Sequence, residues 1–266
     1  MKLISSRPIK KFFGVYVPDC KEANEEAFLN EVSQTFSIDR NKIHLFWKEY
    51  LNIHKKNHYT ERFGEHKTLN REETFILYLV QKLLRPETTV EIGCQYGNST
   101  RRIIDIRKEL NLTTKPIVFE VDDRVREFEK NEVEFYLEDV TQDIHKKLLN
   151  KYEGGMIYLD AHPYFLLENI ISGVLNTNNW VLCIHDCTVG LFNPKMKISK
   201  TAVKGITSKT GAWERYVLAD LFGIANPSSP SLNNTETKTH RLRIFSTYHG
   251  LALIYPKTLH WDSDKK

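Results

Sequence analysis

The chain has 266 residues, 41% hydrophobic and 27% charged, with a mean hydropathy of −0.44. At roughly 100–200 residues per domain this allows one large domain with an accessory segment, and it excludes a wholly disordered or collagen-like chain. The formal charge of +4, from 38 basic and 34 acidic residues, falls short of a nucleic-acid footprint, so no nucleic-acid partner is expected. No apolar run reaches the roughly 18 residues of a membrane span. Met1 to Tyr16 is basic without an apolar signal segment, so a cytoplasmic protein with no membrane partner is expected. Cys20, Cys94, Cys183 and Cys187 are too scattered for a disulfide framework and read as small hydrophobes in a reducing compartment.

Residues 1–69 read as a polar helical extension, with helices predicted over Glu22–Phe36 and Lys42–His54. From residue 70 to 266 the pattern is that of one larger domain. Asn70 and Glu73 stand three apart as in a capping box, and Phe75, Ile76, Leu79, Val80 and Leu83 follow at helical spacing until Pro86. A short strand over Thr89–Ile92 ends in a turn, and a helix over Ser99–Leu110 follows. Further strands are predicted over Pro116–Val121, Glu134–Leu137, Met156–Leu159 and Trp180–Ile184. Between them lie helices over Asp123–Lys130 and Thr141–Leu149, and one carrying Leu166 to Leu175. The alternation implies βαβ crossovers and a doubly wound, mainly parallel α/β sheet, whose ligands bind at the carboxyl ends of the strands. Beyond Asp186, Thr188–Thr210 is basic and glycine-punctuated, Ala212–Phe222 is helical, and Asn226–Thr239 reads as a mobile loop. Arg241–Ser246 and Gly250–Tyr255 close the chain as an antiparallel hairpin.

The chemistry concentrates at strand ends. In TVEIGCQYGNST, Thr89 to Thr100, the strand ends at Glu91-Ile92-Gly93, and Gly97 precedes a helix starting near Asn98 or Ser99. Glycines there let a ligand approach the backbone, and the open amides of a helix start attract a carboxylate or phosphate. The spacing does not fit the G-x-G-x-x-G of nicotinamide binders. The pattern E-I-G-x-x-x-G-x-S resembles the first motif of class I S-adenosylmethionine (SAM) dependent methyltransferases. That resemblance implies cofactor contacts from Glu91, Gly93, Gly97 and Ser99. It also implies ribose binding by an acid after the second strand, matched to Asp122 with Glu120 as the other candidate, and an adenine-proximal acid at Asp139.

The next two strand ends read Leu159-Asp160-Ala161-His162-Pro163-Tyr164 and Ile184-His185-Asp186. Together they resemble the family-24 methyltransferase branch, which includes macrocin O-methyltransferases and cephalosporin-hydroxylase-like proteins. The likeness covers roughly residues 70–190 and the terminal hairpin. It implies a Rossmann-like methyltransferase fold, methyl transfer to a hydroxyl of a small-molecule acceptor such as a sugar or glycoside, and magnesium or another divalent cation held by Asp160, His185 and Asp186. Asp160, His162, His185 and Asp186 are the residues suited to catalysis, because a hydroxyl needs a base or a Lewis acid to become a nucleophile. Two other readings stand beside this one: an oxidoreductase or hydroxylase-like enzyme on the same sheet, and a non-catalytic binding protein. A zinc site from Cys183 and Cys187 is rejected, since on a strand their sulfurs would lie roughly 13 Å apart. The stretch Thr188–Arg215 reads as a basic loop, with a lid over an anionic acceptor as its functional alternative.

Overall fold

The computed structural model describes residues 24–63, 69–140, 143–187 and 213–261. Strands β1 (Thr89–Ile92), β2 (Ile117–Glu120), β3 (Glu134–Leu137), β4 (Gly155–Leu159), β5 (Trp180–Ile184), β6 (Asn234–Glu236), β7 (His240–Phe245) and β8 (Leu251–Pro256) form one sheet. Its order is β3-β2-β1-β4-β5-β8-β7-β6. The pairs from β3 to β5 are parallel, and β8, β7 and β6 continue the sheet antiparallel. The doubly wound sheet and the terminal hairpin are therefore present as the sequence predicts.

Strand alternation sends successive side chains to opposite faces. From β4 and β5, Ile157, Leu159, Leu182 and Ile184 enter a core shared with α6 (Tyr164–Leu175) and α7 (Glu214–Leu221). Met156, Tyr158, Val181 and Cys183 enter the opposite core, against α1 (Glu25–Phe36), α2 (Arg40–Lys56), α4 (Arg71–Leu84) and α5 (Asn98–Glu109). A short α3 (Tyr59–Phe63) connects α2 to the segment before α4. Because both faces are covered, β4 and β5 read as unbroken, fully buried apolar runs, whereas the edge strand β3 is buried nowhere along its length. Cys183 and Cys187 are buried in opposite cores, so their sulfurs do not converge. Among the described residues no helix is long and apolar enough to cross a membrane.

The helix α4 begins where its capping box predicts: Asn70 Oδ1 accepts from Glu73 N at 2.7 Å, and a Glu73 carboxylate oxygen accepts from Asn70 N at 2.9 Å. Elsewhere tertiary contacts override local pattern. The helix expected over Asp123–Lys130 does not form; Arg126 N and Glu127 N both donate to Tyr96 O, which ties the segment to the β1–α5 turn. Only a 3-10 turn at Lys130–Glu132 follows. In place of the helix expected over Thr141–Leu149, the described part is a π-helix at His145–Leu149. The segment Asn226–Thr239 is not simply a loop: it contains a 3-10 turn at Pro230–Asn233 and strand β6. Arg215 organises it, donating to Pro227 O at 2.7 Å and to Asn233 Oδ1 at 2.9 Å. Arg215 and Glu214 are both buried, so neither belongs to a solvated basic loop. Cys20, the start of the helix expected from Glu22, and the basic stretch Thr188–Thr210 lie outside the described residues.

Candidate active site

The chain leaves β1 for β2 on one side and reaches β4 on the other, so the crevice beyond the ends of β1 and β4 is a topological switch point. Backbone pairing continues just past these ends: Gly93 N donates to Phe119 O, Asp160 N to Ile92 O and His185 N to Leu159 O, each at 3.0 Å. Gly93, Asp160 and His185 therefore stand in a row along the carboxyl edge. In front of them lies a cavity of about 700 Å³, within the range of small-molecule sites.

Its near wall is the β1–α5 turn. Gly97 is the N-cap of α5 in a left-handed conformation, φ 92°, and no side chain caps the helix start. The α5 amides at Asn98 and Ser99 thus border the cavity without a side-chain acceptor. The two glycines answer to packing as much as to a ligand. A Cβ on Gly93 would lie 2.6 Å from Asp160 O, and one on Gly97 would lie 2.6 Å from two ring atoms of Phe128. Glu91 is fully buried and accepts a hydrogen bond from Ser99 Oγ, while its second carboxylate oxygen is buried without a partner. Burial pushes its carboxyl up to about 8, which favours the neutral acid near pH 7. Glu91 does not line the cavity; Ser99 does.

The far wall holds the acids after β2 and β3. Glu120 is the last residue of β2, and its carboxylate accepts Gln95 N at 2.6 Å and Val121 N at 2.8 Å. It is mostly buried and fixed on the cavity wall. Asp122, two residues further, is exposed and pairs with Arg124 at 2.6 Å. Asp139 lines the same cavity beyond β3.

At the β4 and β5 ends a network of acids and imidazoles converges. His185 Nδ1 lies 3.2 Å from Asp160 Oδ1 and 3.3 Å from Asp186 Oδ1. Its Nε2 is 3.4 Å from Glu73 Oε2. Burial disfavours the His185 imidazolium, yet Asp160 and Glu73 outweigh it and hold its pKa well above the usual range. Burial likewise opposes the Asp160 charge, but His185 outweighs it and holds the carboxyl low. His162 Nε2 is 3.8 Å from Asp186 Oδ2, and His162 Nδ1 is 2.7 Å from Glu214 Oε1. Asp186 itself takes a left-handed backbone, φ 59°, which turns the chain after β5 and aims its carboxylate into the cluster. All four expected catalytic residues are thus together. Among the described residues, the groups whose donor atoms converge closely enough for one ion are His185–Asp186–His249 and Asp160–His162–Asp186. The expected trio Asp160, His185 and Asp186 is not one of them, although His185 bonds to both acids.

Three participants escape sequence reasoning. Glu73 is legible as a helix cap, but its Oε1 also accepts Thr247 Oγ1 at 2.7 Å and His249 N at 2.9 Å. His249 occupies the β7–β8 turn with Nδ1 3.4 Å from Asp186 Oδ1. Glu214 is the lone acid of a basic stretch. Only the hairpin turn, set opposite the β5 end by the sheet order, offered a clue to His249.

No protein-family model and no curated protein matches the chain. Solved structures do. It is similar to the SAH-bound methyltransferase PaMTH1 of Podospora anserina, with 16% identity over 78% of this chain and 87% of that one, TM-score 0.45. It is similar to the O-methyltransferase TomG of Streptomyces achromogenes in complex with SAM, with 15% identity over 79% and 89%, TM-score 0.46. A shorter match, to CmcI with magnesium and SAM, has 20% identity over 42% and 50%, TM-score 0.34.

Proposed function

We propose that this chain is a SAM-dependent methyltransferase that methylates a hydroxyl of a small molecule, a sugar or glycoside being the class implied by its strand-end motifs. The observation that carries the reading is the arrangement of complementary groups around one cleft. Helix-start amides suit a carboxylate, a fixed Glu120 at the end of β2 suits the two ribose hydroxyls, and the acid after β3, Asp139, suits the adenine end. The β2 terminus favours Glu120 over Asp122 as the ribose acid, because Asp122 is exposed and paired with Arg124. Bound SAM supplies an electrophilic methyl group on a sulfonium.

The chain's own residues then have two tasks. Asp160, His162, His185 and Asp186 orient the acceptor hydroxyl and handle its proton; Glu214 and Asp160 hold the two imidazoles in their charged form, which leaves the Asp160 and Asp186 carboxylates as the groups open to receive it. The donor set of carboxylates and imidazoles also fits a divalent cation, magnesium or another; since Asp160, His185 and Asp186 do not converge as one trio, the sets that would hold it are Asp160–His162–Asp186 and His185–Asp186–His249. Such an ion acts as a Lewis acid, able to lower the pKa of bound water from about 15.7 to about 7.

Isothermal calorimetry with SAM, S-adenosylhomocysteine (SAH) and NAD tests the reading. SAM and SAH are expected to bind and NAD not to bind. Binding of NAD alone would establish the oxidoreductase reading instead, and binding of none would leave a protein that uses this cleft for another partner.

A further inference from the structure

His185 and His249 reach Asp186 from different elements, one from the end of β5 and one from the β7–β8 turn. Their Nδ1 atoms lie 3.3 and 3.4 Å from the same oxygen, Asp186 Oδ1. The two rings are 5.1 Å apart, and all three donor atoms lie within 4.8 Å of one another. Bonds of about 2.1 Å to one ion separate neighbouring ligands by about 3.0 Å at a right angle and about 3.4 Å at the tetrahedral angle. The observed spacings to Asp186 fall at that separation.

The shell behind His185 matches as well. Ligand histidines typically give their second ring nitrogen to a carboxylate, which fixes the tautomer and raises basicity. Glu73, with no exposed surface, meets His185 Nε2 and also holds the His249 backbone N–H and Thr247 Oγ1. One buried carboxylate therefore sets the orientation of one imidazole and the position of the other. On the opposite side of His249, Nε2 is buried with no partner among the described residues.

We propose that His185 Nδ1, His249 Nδ1 and Asp186 Oδ1 form a cation site of two imidazoles and one carboxylate that selects a first-row transition ion over magnesium, with Glu73 as its positioning residue. The inference deepens the reading of this cleft as a cation-assisted methyl-transfer site. Its chemistry follows from donor type: imidazole suits cobalt, iron, nickel or zinc, whereas magnesium takes oxygen donors and water.

The test uses the full chain, stripped with a chelator and dialysed, then titrated separately with CoCl2 and MgCl2 by calorimetry, with the visible spectrum of Co2+ recorded alongside. Co2+ is expected to bind at least tenfold more tightly than Mg2+ and to show a spectrum altered by nitrogen ligands. In His249→Ala the Co2+ affinity should fall at least tenfold. In Glu73→Gln it should fall about 10- to 100-fold. His249 sits in a turn, so its variant remains informative should Glu73→Gln fail to fold, which circular dichroism reports. Mg2+ binding as tight as Co2+, or Co2+ affinity unchanged in His249→Ala, would overturn the proposal. Titrating SAH into the same samples keeps the two readings apart: SAH binding without cobalt selectivity removes the ion site alone, and cobalt selectivity without SAH binding removes methyl transfer alone.

Discussion

Glu214 Oε1 lies 2.7 Å from His162 Nδ1, joining the first residue of α7 to the loop after β4 across 52 positions of sequence. Glu214 is buried, and its other oxygen has no partner. This bond raises the His162 pKa to about 9. The folded value exceeds the ordinary 6.5, so the pair's contribution to stability is complete below pH 6.5 and is lost as pH rises through about 9. In Glu214→Gln the His162 titration, followed by NMR, should move down from about 9 toward 6.5. With His162 charged and orienting the acceptor hydroxyl, His162→Ala should lower kcat by about 10²-fold with SAH affinity kept. A titration indifferent to Glu214→Gln would show that the contact does not set the charge of His162.

Glu91 gives a pH signature of the opposite chemical type. Burial raises its carboxyl to about 8 from an ordinary 4.5. The folded state favours the protonated form, so this group's contribution is greatest below pH 4.5 and declines as pH rises toward 8. Between pH 4.5 and 7 the loss is on the order of 3 kcal/mol. Denaturant melts of wild type and Glu91→Gln across this window should diverge in slope, with the variant flatter. Parallel curves would mean that Glu91 is already charged in the folded protein.

Gly97 should be needed for folding before it is needed for any ligand. Gly97→Ala places a Cβ against Phe128 and forces a left-handed alanine, which should cost about 1–3 kcal/mol in denaturant melts. Combining it with Phe128→Ala should give a loss at least 0.5 kcal/mol smaller than the sum, roughly the coupling of contacting residues. Additive losses would mean that the ring is not what excludes a side chain there.

The two acids after β2 should separate in SAH calorimetry. Glu120→Gln is expected to weaken SAH about 10- to 100-fold, the cost of a hydrogen bond to a charged acceptor. Asp122→Asn should change it less than about threefold, as an exposed charge does. The reverse ranking would return the ribose to Asp122.

Strands β4 and β5 were legible because burial on both faces writes them as continuous apolar runs, and α4 because its cap is local. Asp160, His162, His185 and Asp186 were legible because they follow directly on those runs. What stayed hidden depends on contacts between distant segments. The segment containing Val125 and Phe128 has helical spacing, but the carbonyl of Tyr96 claims its amides and Gly97 receives its ring. Strand β6 has no apolar stripe, since two of its three residues are exposed; it exists because β7 offers it an edge. Glu73, Glu214 and His249 carry local explanations of their own, as a cap, a loop acid and a turn residue. Only the fold brings them to the cluster.

On the catalytic role proposed for Asp186, its left-handed backbone sets stability and activity against each other at a single position. A residue with a Cβ held in that region costs roughly 1–2 kcal/mol, a cost glycine does not carry. The turn it makes lets Cys187 N reach Gly250 O at 2.9 Å, so the hairpin depends on this geometry. Asp186→Gly would keep the turn, relieve the strain and remove the carboxylate that His162, His185 and His249 share. A library selected only for heat resistance would accordingly be enriched in inert proteins at this position, and aspartate would persist only under selection for what the cleft does.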